Sequence, residues 1–282
     1  MGLSLVISRL ATVQPILLRP LLFRLRPIFA KQKNMTVEHL SPRLQILVRD
    51  TRALLEQAVR EHQDVVYSNS LGAEAMVLTD IIAANVPEIE MFTLDTGRLH
   101  DETLALLDRL ERRYQRRIQV FSPDAQAIEQ YVRDNSINGF YLGLEERLSC
   151  CEIRKVQPFK RAIVGRKAWV TGVRREQSAE RAQAEAVAWD ERYGLWKISP
   201  MLEWTDQDVW AYIKARNLPY NALHDKGFPS IGCAPCTRAI EPGADPRSGR
   251  WWWENPESRE CGLQPRRRVI PLKVEPRRAA GQ

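Results

Sequence analysis

Short β-branched and aromatic runs alternate with stretches of helical apolar spacing through the middle of this chain, and no other feature limits its fold so much. A helical pattern over Arg52 to His62 leads into the strand Val65-Val66-Tyr67, and Gly72 to Ala84 follows as a helix. The same alternation then gives Met91 to Leu94 as strand, Glu102 to Tyr114 as helix, Ile118 to Phe121 as strand, Ala125 to Asp134 as helix and Ala168 to Thr171 as strand. Such repetition predicts an α/β fold built on a doubly wound, mostly parallel sheet. Ligands of open parallel sheets lie beyond the carboxyl ends of the strands, so the segments Ser68 to Gly72, Asp95 to Arg98 and Gly172 to Arg175 should meet in one crevice. Thr205 or Asp206 can cap a further helix through Lys214, stopped by Asn217 and Pro219. Beyond it, Gly227 to Gly262 is rich in Gly and Pro and reads as an irregular, packed C-terminal segment.

Composition narrows the function. The 282 residues, 44% of them hydrophobic, suffice for one large domain or two small ones, and eight Trp, seven Tyr and seven Phe exclude a mainly disordered chain. No charge-free run of eighteen apolar residues occurs, which argues against a membrane span. The net charge of +7 sits in the tails: residues 1–37 carry +6 and 265–282 carry +5, which leaves −4 for 38–264. The body therefore offers no general footprint for nucleic acid, although local arginines can hold a small anion. Residues 1–34, basic and without acid, have the composition of a transit peptide or of upstream sequence translated from an early start, with Met35 as the start of the protein proper. The expected organisation is an extension over 1–34, a catalytic domain over 35–264 and a basic tail over 265–282, in a cytoplasmic protein.

Five cysteines, Cys150, Cys151, Cys233, Cys236 and Cys261, form an adjacent pair, a C-x-x-C and a singleton. The odd count speaks for metal or redox chemistry rather than a disulfide framework. The first four supply enough thiolates for one zinc ion or one iron–sulfur cluster. Neighbouring side chains diverge, so the adjacent pair suits a cluster several ångströms wide better than a single ion; five inert buried thiols are the plainer alternative. The loop Ser68-Asn69-Ser70-Leu71-Gly72-Ala73-Glu74 joins strand to helix with hydroxyls and backbone amides and can cradle an anion or merely cap a helix. No G-K-[ST] closes it, so it is not a Walker loop. Cys261 lies near the end of the fold, away from the other four, where a thiol on a mobile segment could reach into a crevice and attack, or could be incidental. Arg247 and Arg250 would favour its thiolate.

Taken in order, S-x-S-x-G-x-E at Ser68 to Glu74, Leu94-Asp95-Thr96-Gly97-Arg98-Leu99-His100, Cys150-Cys151-Glu152-Ile153-Arg154-Lys155, Thr171 to Ser178, Cys233-x-x-Cys236, Asp245 to Glu254 and Glu260-Cys261-Gly262-Leu263 resemble the assimilatory adenylylsulfate (APS) reductases of the phosphoadenylylsulfate (PAPS) reductase family. The resemblance implies a sheet of the adenine nucleotide α-hydrolase-like type, a 4Fe-4S cluster on Cys150, Cys151, Cys233 and Cys236, and Cys261 as the nucleophile. It also implies a nucleotide site lined by Ser68, Ser70, Leu94, Thr96, Gly172 and Arg181, with Lys155, Arg247 and Arg250 facing the phosphosulfate. Gln264 stands where the family tail has His, Ala75 replaces a common Asp, and the stretch after Gln177 is shorter than the family pattern.

The chemistry implied is attack of the Cys261 thiolate on the sulfate sulfur of adenylylsulfate, departure of AMP, and release of sulfite from the S-sulfocysteine by an external dithiol protein, thioredoxin or glutaredoxin. Cations would neutralise the charge that develops on the leaving phosphate. A homo-oligomer is compatible with the sequence. A PAPS reductase is the nearest alternative; an iron–sulfur tRNA-thiolating enzyme, which would need ATP and bind RNA with steep salt dependence, and a zinc-binding interaction module are more distant ones.

Overall fold

The structure, a computed structural model, describes residues 39–255, 258–260 and 262–263. Cys261, the extension over 1–34 and the tail over 265–282 lie outside the described residues.

Helix α1 (Pro42–His62) opens with Ser41 accepting from the Leu44 amide and Pro42 in the first turn. The sequence reading started this helix at Arg52, ten residues late. The Ser-Pro start signal was there, and Leu44, Leu47, Val48, Thr51, Leu55 and Ala58 continue one buried stripe. Strand β1 (Val65–Ser68), helix α2 (Ala73–Asn85), strand β2 (Glu90–Leu94), helix α3 (Asp101–Tyr114), strand β3 (Gln119–Phe121) and helix α4 (Ala125–Asn135) follow the expected alternation. Two regions went unread. Helix α5 (Leu144–Cys151) runs without a break through a wide π-turn (Glu152–Val156) into α6 (Gln157–Ala162). After β4 (Ala168–Val170) and the short α7 (Ala179–Ala182), strands β5 (Val187–Asp190) and β6 (Leu195–Ile198) form a hairpin. Helix α8 (Asp206–Ala215) begins at a Thr205–Asp208 capping box.

The sheet order is β3-β2-β1-β4-β6-β5, parallel except for β5, which runs antiparallel to β6 at one edge. Chain order therefore reverses between β1 and β4, and that is where a doubly wound sheet opens its crevice. Successive side chains of a strand point to opposite faces. Val65, Tyr67, Ala168 and Val170 enter one apolar layer with α1, α2 and α8, while Val66 and Trp169 enter the other with Phe92, Phe159 and Leu195. Covered on both faces, β1 and β4 are apolar at every position but the last residue of β1, Ser68, which is left at the crevice. Among the described residues, no helix is long and apolar enough to cross a membrane.

Candidate active site

The crevice is built first by the loop after β1. The Asn69 amide donates to the Phe92 carbonyl (2.8 Å), while its side chain donates to Thr79 (2.8 Å) and accepts from the Leu71 amide (2.9 Å). These bonds hold Leu71 in the left-handed region (φ +58°) and turn the chain into α2, whose N-cap Gly72 makes no side-chain hydrogen bond. Ser68 is half-buried and Ser70 exposed, with the Ser70 hydroxyl accepting from the Gly72 amide at 3.4 Å. Across the switch point Gly172 leaves β4 so close to α2 that a Cβ there would lie 3.3 Å from Cβ of Glu74. The buried Arg174 guanidinium then reaches Glu74 (2.9 Å), Glu176 (2.9 Å) and Asp206 (3.2 Å), bracing the loop after β4 against the one after β1. Leu94 ends β2 against the Phe92 and Trp169 layer.

A second centre adjoins the loop after β2. Consecutive helical residues point about 100° apart, so Cys150 and Cys151, entering the π-turn, present their thiols in different directions. Cys233 and Cys236 come from a tight turn closed by the Cys236 amide donating to the Cys233 carbonyl at 2.9 Å. All four line one small cavity with Arg154 and Lys155, and none of the four is in a disulfide. The Thr96 hydroxyl lies 3.2 Å from the Cys233 sulfur. Arg154 donates to the Thr96 carbonyl (2.7 Å), and the Ala234 amide donates to the Arg98 carbonyl (2.8 Å). Burial, reinforced by Cys233, pushes the Cys236 thiol up to about 12, against the pull of Lys155 and Arg250. Burial raises Cys150 too, opposed chiefly by Arg154. Among the described residues, no three His, Cys, Asp or Glu side chains are grouped as for a single metal ion.

The segment after Arg250 closes over this centre. Trp251 is wholly buried with φ +42°, an unusual backbone for a bulky residue, and three cations lie over its ring: Arg250 at 4.5 Å, Arg147 at 4.7 Å and Lys155 at 6.0 Å. Gly232 makes room for Arg250, since a Cβ there would fall 2.3 Å from its Nη2. Arg147, on α5 one turn before Cys151, grips Glu254 through both carboxylate oxygens (2.8 and 2.7 Å) and donates to the carbonyls of Ser258 (2.8 Å) and Glu260 (3.0 Å). Glu260 pairs with Arg181 (3.2 Å) and Arg247 (3.3 Å). Gly262 comes close enough that a Cβ on it would lie 3.2 Å from Val156 and 3.9 Å from Cys151, and the Leu263 carbonyl accepts from Arg192 at 3.0 Å.

Of the residues singled out by sequence, Ser68, Ser70 and Gly172 thus gather at the switch point, and Thr96 joins the cysteine centre. Lys155 and Arg250 meet over Trp251, and Arg181 and Arg247 meet on Glu260. Cys261 itself lies outside the described residues; its neighbour Glu260 is tied to Arg147 by a buried hydrogen bond, and Gly262 lies close to Cys151, contacts that no local pattern announces. Sequence reasoning missed Arg147, Arg154, Arg174 and Glu254 as structural members of the site. Arg154, Arg174 and Glu254 lie inside the motifs that carry the resemblance, whereas Arg147 offered its spacing of four from Cys151 on one helix face.

The geometry defines a doubly wound α/β protein with a crevice at the β1–β4 reversal and a four-thiol centre alongside. The phosphoadenosine phosphosulfate reductase domain model matches residues 64–239, and over 218 residues the chain is 53% identical to an adenosine 5′-phosphosulfate reductase of Allochromatium vinosum, covering 77% of this chain and 85% of that relative. The chain belongs to the phosphoadenosine phosphosulfate reductase family, a family of oxidoreductases. In fold it is similar to phosphoadenylyl-sulfate reductase from Candida auris (TM-score 0.58, 23% identity, 71% of this chain and 98% of that one). It is also similar in fold to FMN adenylyltransferase from Candida glabrata (TM-score 0.51, 14% identity, 77% of each chain).

Proposed function

We propose that this enzyme reduces adenylylsulfate to sulfite and AMP, with Cys261 as the nucleophile and a thioredoxin or glutaredoxin as the electron donor, in the cytoplasm. The observation that carries this reading is the docking of both flanks of position 261: Glu260 on Arg181 and Arg247, Gly262 against Cys151. Relatives named adenosine 5′-phosphosulfate reductase support the choice of substrate. The adenosine would lie over the switch point beside Ser68, Ser70, Leu94 and Gly172, with Lys155, Arg181, Arg247 and Arg250 drawn to the phosphosulfate. The Cys261 thiolate attacks the sulfate sulfur, the sulfur–oxygen bond to phosphate breaks, and AMP leaves with that electron pair. Nearby guanidinium and ammonium groups stabilise the charge gathering on the phosphate oxygen. One thiol of the donor then attacks the Cys261 sulfur and expels sulfite with the bonding pair; its second thiol resolves the mixed disulfide, so the donor ends oxidised by two electrons and Cys261 is a thiol again.

Cys150, Cys151, Cys233 and Cys236 fit a 4Fe-4S cluster: the Cys150 and Cys236 thiols, which burial keeps from ionising alone, become tenable as thiolates when they bind metal, and the spread of the four along a helix and a turn suits several iron atoms. When bound, the cluster supplies a covalent tie between the two cysteine pairs and a fixed charge beside Lys155.

Exposing the protein to adenylylsulfate without reductant and measuring its intact mass tests the reading. Wild type should gain one sulfo group, mapped to Cys261, and Cys261→Ser should gain none. An unaltered wild-type mass would refute the nucleophile, and faster turnover of the 3′-phosphorylated nucleotide would refute the substrate.

A further inference from the structure

We infer that Arg147 is a positioning residue for sulfur transfer: it bolts the chain that enters position 261 to the helix that carries Cys151. The inference rests on the reading of Cys261 as nucleophile.

A guanidinium has five N–H donors, and burying it is costly unless they are matched. Arg147 is 0% exposed, and its donors are spent almost entirely on one segment: two on the Glu254 carboxylate, one on the Ser258 carbonyl and one on the Glu260 carbonyl. Cys151, one turn further along α5, is a hydrogen-bond partner as well. These contacts span 107 to 113 residues of sequence, and the ring of Trp251 closes over the guanidinium at 4.7 Å.

The last acceptor gives the arrangement its meaning for catalysis. The Glu260 carbonyl belongs to the planar peptide unit that continues into residue 261, so a bond to that oxygen restrains the orientation of the whole unit. Arg147 thereby references the chain at position 261 to the same helix turn that bears Cys150 and Cys151. Lysine cannot substitute: a single ammonium can meet Glu254 but not, in addition, two carbonyls arrayed around a planar fork. A group that only held the fold together would have no need to address the carbonyl immediately before the nucleophile.

Arg147→Lys and the charge-balanced double variant Arg147→Gln/Glu254→Gln test this in holoenzyme purified without oxygen. The double variant leaves no uncompensated buried charge, whereas Arg147→Gln alone leaves Glu254 without its cation and costs stability. Misplacing a reacting group by roughly an ångström costs about 100-fold in rate, and we expect kcat to fall by that order while KM for adenylylsulfate and Kd for AMP stay within about threefold. Iron content and visible absorption should match wild type, and the sulfo group should appear at Cys261 more slowly by the same factor when reductant is absent. The inference is overturned if kcat stays within about threefold of wild type, or if iron content or AMP affinity falls in parallel with kcat, the mark of a general structural role. A wild type that gains no adduct removes the nucleophile reading and this inference with it. Wild type and variants gaining it at equal rates remove this inference alone.

Discussion

The crevice and the cysteine centre adjoin each other yet are held by different means. The crevice is made of loops that leave adjacent parallel strands, so the backbone ladder places Ser68 and Gly172 side by side before any side chain acts. Its charge network, Arg174 with Glu74, Glu176 and Asp206, keeps two carboxylates more than half exposed. The cysteine centre gathers segments with no common sheet, and buried cations do the joining: Arg154 to the loop after β2, Arg147 to the segment after Trp251, Arg250 beneath Gly232. A site framed by a sheet tolerates loss of a side chain, whereas one framed by buried ion pairs depends on each partner.

The sharpest way to separate the two is to remove one thiol. Cys236→Ser should abolish turnover and bound iron while AMP binding persists, because the nucleotide loops stand on the sheet. Iron and sulfide analysis with calorimetric AMP titration checks this, and loss of AMP binding together with iron would show that the two regions are one unit.

Arg147→Ala should produce the largest loss of stability among single changes of charge. It leaves the Glu254 carboxylate, 6% exposed, with the Ser258 hydroxyl but without its cation, and breaking such a pair costs about 3–5 kcal/mol. Arg174→Ala should cost less, about 1–3 kcal/mol, because Glu176 and Asp206 are 56% and 64% exposed and can rehydrate. It should weaken AMP binding by loosening the loops around Glu74. Urea midpoints for the two variants rank them, and a greater loss at Arg174 would invert the comparison.

The same contrast explains what could be read in advance. Periodicity revealed β1 to β4 and the helices α2 to α4 because such strands and helices leave apolar patterns within ten to twenty residues, but it missed α5 and α6. It did not reveal the β5–β6 hairpin, whose edge position leaves Trp189 and Trp196 partly exposed and breaks the alternation with polar residues. The candidate residues came from short motifs, and the motifs mark chemistry rather than support. The motif of Thr96 gave no sign that its hydroxyl meets Cys233, a contact across 137 residues that only the packed fold creates. Arg147 lies in a stretch that reads as ordinary charged surface, and Arg174, though inside a crevice segment, gave no sign of its partners, since an arginine's burial depends on groups a hundred positions away.

The smallest expected effect belongs to the scaffold behind the crevice, where α8 is pinned to α1. The hydrogen bond from Arg43, helped by Thr205, lowers the Asp208 carboxyl to about 2. An aspartate in the unfolded chain titrates near 4, so the folded state binds this proton less readily and the carboxylate favours folding whenever it is ionised. That contribution is fully present above about pH 4 and disappears as the pH falls toward about 2. Other carboxylates titrate over the same interval, so the test is a difference: urea stability of wild type minus Asp208→Asn, followed from pH 5 downward, should shrink toward acid. Arg43 is largely solvated, which keeps the difference small beside the losses at Arg147 and Arg174. A difference that stays level across the interval would mean that the Arg43 contact does not hold α1 to α8, and that the sheet-framed half owes its tolerance to packing of Leu44, Leu47 and Val209 instead.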